Sequence, residues 1–187
     1  ITIAARESEL VDQSSGVSAR LSIAALELLT SNLERRALRT GEAEVWPRLA
    51  DCHMLLPAIT GKVEMVYEGE QQGAEIVARQ IVGTAVKKLF DRRLPEVQRH
   101  RAARDEQVAA DSPYAPIVAW FATKNSVTLS DEIPFADYEK ELAQVPGLMD
   151  LAAGAADTRE ERAFMAELVL EGLHQHLQLA REDLDAM

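Results

Sequence analysis

Cysteine, aromatic side chains, basic charge and long apolar runs are all scarce in this chain. Cys52 is its single cysteine. It permits no intramolecular disulfide and no multi-cysteine zinc site, which fits a reducing, cytoplasmic setting. No apolar run approaches the ~20 residues that span a bilayer, so no membrane partner is expected. The formal net charge of -11 sets the average surface against phosphate backbones, and no compensating basic patch of useful size occurs. Nucleic acid is therefore not an expected partner. The chain opens on Ile1-Thr2-Ile3 with neither an initiator Met nor the basic-then-apolar layout of a signal peptide. The expectation is a piece of a longer protein.

A phosphate-binding loop is missing as well. Gly61-Lys62 is the only Gly-Lys dipeptide, with Val63 where GxxxxGK[ST] needs Ser or Thr and Leu56 where it needs its first Gly. The bland reading is a helix stop followed by a surface lysine. ATP hydrolysis by this chain alone is not expected, and no catalytic residue is assigned within it.

What the chain does have is helix-forming composition. Ala, Leu, Glu, Gln and Arg abound, aromatics are 5% and hydrophobic residues 47%, so an all-α protein with a real core is expected. Residues 1–11 read as the end of a helix, and Asp12 to Gly16 as a turn cluster. Ser18 can cap a helix that runs to about Arg39, with Leu26, Leu29, Leu33 and Ala37 at 3/4 spacing. Leu21, Ala25 and Leu28 widen its apolar face, and Gly41 stops it. Pro47 opens a short element that Pro57 interrupts and Gly61 breaks again. Residues 63–67 stay undecided between a short extended stretch and a helical turn.

The strongest periodicity follows. Ala74, Val77, Ala78, Ile81, Val82, Ala85, Val86, Leu89 and Phe90 predict a helix with one buried face, its basic end suited to the dipole and stopped by Pro95. Residues 98–112 read as a linker or exposed connection. Ser112-Pro113 then opens a helix with Ile117, Val118 and Phe121 inward. Another helix starts near Pro134 with Phe135, Tyr138 and Leu142, and a break at Val145-Pro146-Gly147 precedes Leu148, Met149 and Leu151. Thr158 and Glu161 form a capping box for a last helix whose inner face is Phe164, Met165, Leu168, Val169 and Leu173. No internal repeat is present.

Few residues invite chemistry. His174 and His176 point about 200° apart on a helix and cannot clamp one metal. Cys52-His53 has no second pair at ligand spacing, and Cys52 reads as a small core residue. Asp131-Glu132 and Glu160-Glu161 read as a loop charge and a helix-start charge, and Trp46, Trp120 and Phe121 as packing aromatics. No metal ligand set is expected, which leaves a small helical metalloenzyme as a poorly supported third reading. Gly16-Val17-Ser18-Ala19-Arg20 is different. It joins a turn, a cap and a permanently charged fork in a helical first turn, where free amides already favour an anion.

Those residues also carry a resemblance. Asp12 to Leu21, DQSSGVSARL, with Asn32 to Ala37, NLERRA, resembles the sensor-2 region of magnesium-chelatase and MoxR-type AAA+ ATPases. LPAITGKVEMVYEGE (Leu56 to Glu70) and the stretch from Val118 to Pro134 resemble one bacterial branch of magnesium-chelatase-like ATPases. The resemblance implies a helical lid over residues 1–97 and a C-terminal helical extension over 113–187. It places Arg20 at the sensor-2 position, approaching the γ-phosphate of ATP held with Mg2+ by an N-terminal αβ module. It also implies neighbouring ring subunits, which Lys62 could face, and a von Willebrand A-type partner protein. The alternative that the residues leave open is a stand-alone helical adaptor without a nucleotide role.

Overall fold

The computed structural model describes residues 1–94, 112–176 and 179–180. Among these the fold is all-α: the elements are helices, and the one β contact is an isolated antiparallel bridge between Val11 and Met65. The chain divides into two compact units. One is Ile1–Ala85 with Leu129–Tyr138, and the other is Val86–Thr128 with Glu139–Met187. Among the described residues no helix is long and apolar enough to cross a membrane.

In the first unit a short helix α1 (Thr2–Arg6) precedes the long α2 (Ala19–Thr40). Ser18 caps α2 as expected: its backbone is extended and its Oγ accepts from the Arg20 amide at 3.1 Å. Gly41 ends the helix at φ 73°, a left-handed conformation that side chains with a Cβ rarely adopt, and its N–H donates to the Ala37 carbonyl. The inward face corrects the expectation. Leu26 is 64% exposed, while Leu21, Asn32 and Arg36 are buried. Two adjacent apolar stripes compete on α2, and the one containing Leu21, Ala25 and Leu28 continues inward through polar residues. Asn32 and Arg36 can sit there because partners meet them.

Two prolines also behave differently from expectation. Pro47 lies ahead of the next element, a 3-10 helix (Leu49–Leu55), and does not begin it. Pro57 does not interrupt. It sits in the first turn of α3 (Leu56–Thr60), where its missing N–H costs nothing, and Gly61 follows that helix as expected. The undecided stretch 63–67 is mostly extended. Around the Val11 and Met65 bridge, Asp12 N–H donates to the Glu64 carbonyl at 2.9 Å and Val66 N–H to the Leu10 carbonyl at 3.1 Å. A short α4 (Tyr67–Gln72), with no apolar stripe to announce it, leads into α5 (Ala74–Arg93). Val77, Ala78 and Ile81 of α5 complete an apolar core with Ala5, Leu21 and Ile59.

The unit boundary falls within α5, whose later turns bury Val86 and Phe90 in the second unit. Pro95, Val97 and the expected linker 98–112, Ser112 excepted, lie outside the described residues. Ser112 does not cap a helix with Pro113 in its first turn. Its Oγ accepts from the Tyr114 amide at 3.3 Å in a turn, and α6 (Ala115–Ala122) takes Pro116 as its first-turn proline. Then come α7 (Phe135–Ala143), α8 (Leu148–Ala153) and α9 (Arg159–Gln175). The capping box forms as expected: Thr158 Oγ1 accepts from the Glu161 amide at 3.1 Å, and the Glu161 carboxylate accepts from the Thr158 amide at 3.3 Å. Met165, Leu168, Val169 and Leu173 are buried along α9, which packs on α8. Gly172 lets α9 close on Phe90. A Cβ there would lie 2.1 Å from the ring.

Candidate functional site

Arg20 occupies the first turn of α2, exposed, two residues beyond the capping serine. The cap uses one of the free amides of that turn. The Leu21 amide bonds the Ser18 carbonyl at 3.0 Å, so what favours an anion there is the positive end of the helix dipole beside a guanidinium. Glu is absent from that first turn, so nothing acidic competes there.

The densest polar constellation lies elsewhere in the first unit, at the opposite end of α2. Arg36 and Asp51 form a two-pronged pair, with Nη1 2.6 Å from Oδ1 and Nη2 3.2 Å from Oδ2. Both side chains are at most 1% exposed. Arg36 also donates to the carbonyls of Trp46 (2.6 Å) and Asp131 (3.2 Å). Asn32 Nδ2 donates to Asp51 at 2.7 Å and to Asp131 at 3.1 Å, while its Oδ1 accepts from Arg35 Nη2 at 2.6 Å. Asp51 further accepts from the Arg48 backbone N–H at 2.7 Å, so one carboxylate both caps the 3-10 helix and neutralises a buried arginine.

Residues 129–138 complete this constellation. Asp131 Oδ2 is 2.8 Å from Arg35 Nη2, and Glu132 pairs with Arg39 and with Arg35. Arg48 donates from Nη1 to the Ser130 carbonyl at 2.8 Å and stacks 4.3 Å over the Tyr138 ring. Burial, and then the nearby Arg36 charge, push the pKa of Arg48 below the ordinary guanidinium value. Arg36 Nε and Arg48 Nε are buried without hydrogen-bond partners, so the network is not fully satisfied.

Sequence reasoning placed Asp131-Glu132 as a loop charge. Glu132 fits that description, at 44% side-chain exposure, but Asp131 is buried at 8%. It missed Asn32, Arg36, Arg48 and Asp51. The available signal was their register: Asn32 and Arg36 fall four residues apart on the continuation of the Leu21 and Leu28 stripe, where a polar residue needs a partner.

The remaining candidates do not gather. Lys62 is exposed in the turn after α3, and the His53 ring, nine residues earlier, bonds the Ala50 carbonyl and lies 4.0 Å from Asp131 Oδ2. Cys52 is half-buried. Trp46 is 45% exposed, and Trp120 meets Phe121 edge-on at 4.9 Å. In the second unit His176 Nε2 lies 2.9 Å from Asp91 Oδ1, whereas His174 Nδ1 meets the Leu179 carbonyl, so the two histidines point to separate partners. Burial opposes ionisation of Asp91, but hydrogen bonds from His176 and Lys87 outweigh it and hold the carboxyl below its usual range. Among the described residues no group of three or more His, Cys, Asp or Glu is placed to hold a metal. Comparison with protein-family models, curated proteins and solved structures found no match to this chain.

Proposed function

We propose that the chain is the lid region, with its C-terminal extension, of a magnesium-chelatase/MoxR-like AAA+ ATPase. In this reading Arg20 senses the γ-phosphate of ATP bound with Mg2+ in an N-terminal αβ module, and α2 relays nucleotide state to neighbouring ring subunits and to remodelling of a partner protein. The partner would be of von Willebrand A type. The observation that carries the reading is the exposed Arg20 in the capped first turn of a 22-residue helix. A permanent positive fork there is suited to a terminal phosphate, and a single rigid helix behind it is suited to transmitting a displacement. The residue sequence around it, DQSSGVSARL, supplies the resemblance.

The test is Arg20→Ala in the complete ATPase. ATP turnover should fall by at least about tenfold, as for loss of one charge-assisted phosphate contact. Unchanged turnover and unchanged nucleotide affinity would refute the assignment.

A second reading is a helical adaptor that binds a partner protein with no nucleotide role. It is favoured by the exposed apolar side chains Ile3, Ile23 and Leu26 on α1 and α2, at 66%, 57% and 64% exposure. Reading the coding sequence upstream of Ile1 separates the two. A GxxxxGK[ST] between a strand and a helix supports the ATPase, and a start codon immediately before Ile1 supports the adaptor.

A further inference from the structure

The arginines of α2 divide into two layers by how they are neutralised. Arg36 has its countercharge in Asp51, which lies in the same stretch of chain, and Asn32 also bonds Asp51. If residues 129–138 were lifted away, Arg36 would keep both prongs of that pair and its bond to the Trp46 carbonyl. Arg48 would lose its bond to the Ser130 carbonyl and its stack on Tyr138, but would keep Asp51 and Glu42 as nearby countercharges. That is the situation in which separating a polar contact is cheap, because the large penalty attaches to an unpaired buried ion.

The outer layer is built the other way. Arg35 and Arg39 are 43% and 51% exposed, four residues apart on α2, and their carboxylate partners both come from Asp131-Glu132. Arg39 grips Glu132 with both nitrogens, the second at 3.2 Å. The two Glu132 pairs are exposed on both sides, so they are screened by salt and individually weak, whereas the Asp131 side chain is only 11% exposed. The spacing of the pairs is nevertheless specific: adjacent turns of one helix present two guanidinium forks to two consecutive carboxylates, with the Asp131 carbonyl received by Arg36 between them.

We propose that Arg35, Arg36 and Arg39 form a docking cradle for a diacidic peptide segment, and that the chain's own Asp131-Glu132 closes it as a releasable latch. The occupant it fits is a partner protein's extended segment carrying consecutive carboxylates, because such a segment is what the cradle holds in cis. The inference goes beyond the nucleotide reading and does not depend on Arg20. In a chain of net charge -11, an arginine face that is covered by an internal acidic segment also avoids indiscriminate binding of the molecule's own acidic copies.

The test uses a fluorescein-labelled peptide of residues 128–136, TLSDEIPFA, and a control in which its Asp and Glu are Asn and Gln. Binding by fluorescence anisotropy is compared for the wild-type chain, Glu132→Gln, and Asp131→Asn with Glu132→Gln. Amide hydrogen exchange of residues 129–134 is followed in parallel. The weakened latches should exchange faster and bind the acidic peptide more tightly than wild type, by up to about fivefold for Glu132→Gln and by more for the double variant, because apparent affinity scales with the open fraction. The control peptide should not bind, and 0.5 M salt should abolish the difference. Glu132 is exposed, so the single variant keeps the test valid if the double variant unfolds. Equal binding to all chains, no binding to any, or unchanged exchange in Glu132→Gln overturns the proposal.

Discussion

Arg36 and Asp51, fifteen residues apart, meet through two parallel hydrogen bonds in a setting that excludes water from both side chains. Such a pair is costly to assemble and more costly to break from one side. Removing either partner strands a charge in a medium that cannot solvate it.

Asp51→Ala should therefore destabilise the first unit by about 3–5 kcal/mol, measured by urea unfolding. Arg36→Met combined with Asp51→Leu should recover most of that loss, since no ion is then buried alone. A single variant costing under about 1 kcal/mol would mean that the pair is solvated after all.

Glu132→Gln presents the contrasting case. The carboxylate it removes is exposed and faces exposed arginines. The expected cost is at most about 1 kcal/mol, and it should shrink further between 0.05 and 0.5 M salt as screening lengths shorten from roughly 14 to 4 Å. A large, salt-independent loss in thermal unfolding would contradict this picture.

Gly172→Ala sets two effects against each other. Alanine is the better helix former by about 1 kcal/mol, but the new methyl group would meet the Phe90 ring at a distance no real Cβ tolerates. Overpacking of this kind costs about 1–3 kcal/mol or more, so the net effect should be destabilising. Phe90→Leu in the same chain should relieve the clash, giving a double variant less unstable than the two single losses added together.

Asp91 gives the second unit a dependence on acid. Its folded pKa is depressed, so its contribution to stability is fully present above the ordinary carboxylate range and is lost as pH falls through the lower folded value. Wild type should exceed Asp91→Asn in melting temperature at pH 7, and the gap should narrow on acidification below about pH 4. A gap that stays constant from pH 7 to pH 3 would show that the carboxylate is not the stabilising form.

The helix ends were legible where a short-range chemical rule acts. Ser18, Gly41 and the Thr158 and Glu161 capping box all lie where the sequence places them, because caps satisfy amides and carbonyls only a few residues away. Phase was harder. Leu26 and Leu21 head two apolar stripes of similar spacing on α2, and periodicity alone does not say which one turns inward. The choice was made by Asn32 and Arg36, whose burial depends on Asp51 and on Asp131. The latter lies 99 residues beyond Asn32, so no local window contains both. Arg20 was legible as a capped first-turn arginine. The arginine cradle was not, because its charges read as solvated until the segment that covers them is in place.

That same difference in sequence distance orders the assembly of the first unit. The bond from Arg36 to Asp51 closes a loop of 15 residues, and the bond from Arg35 to Asp131 closes one of 96. For flexible chains the longer closure costs about 1.6 kcal/mol more in entropy. Local contacts form first when their closure is cheap. On closure entropy, the inner arginine is expected to be neutralised first, so that residues 129–138 meet a helix whose deepest charge is already at rest.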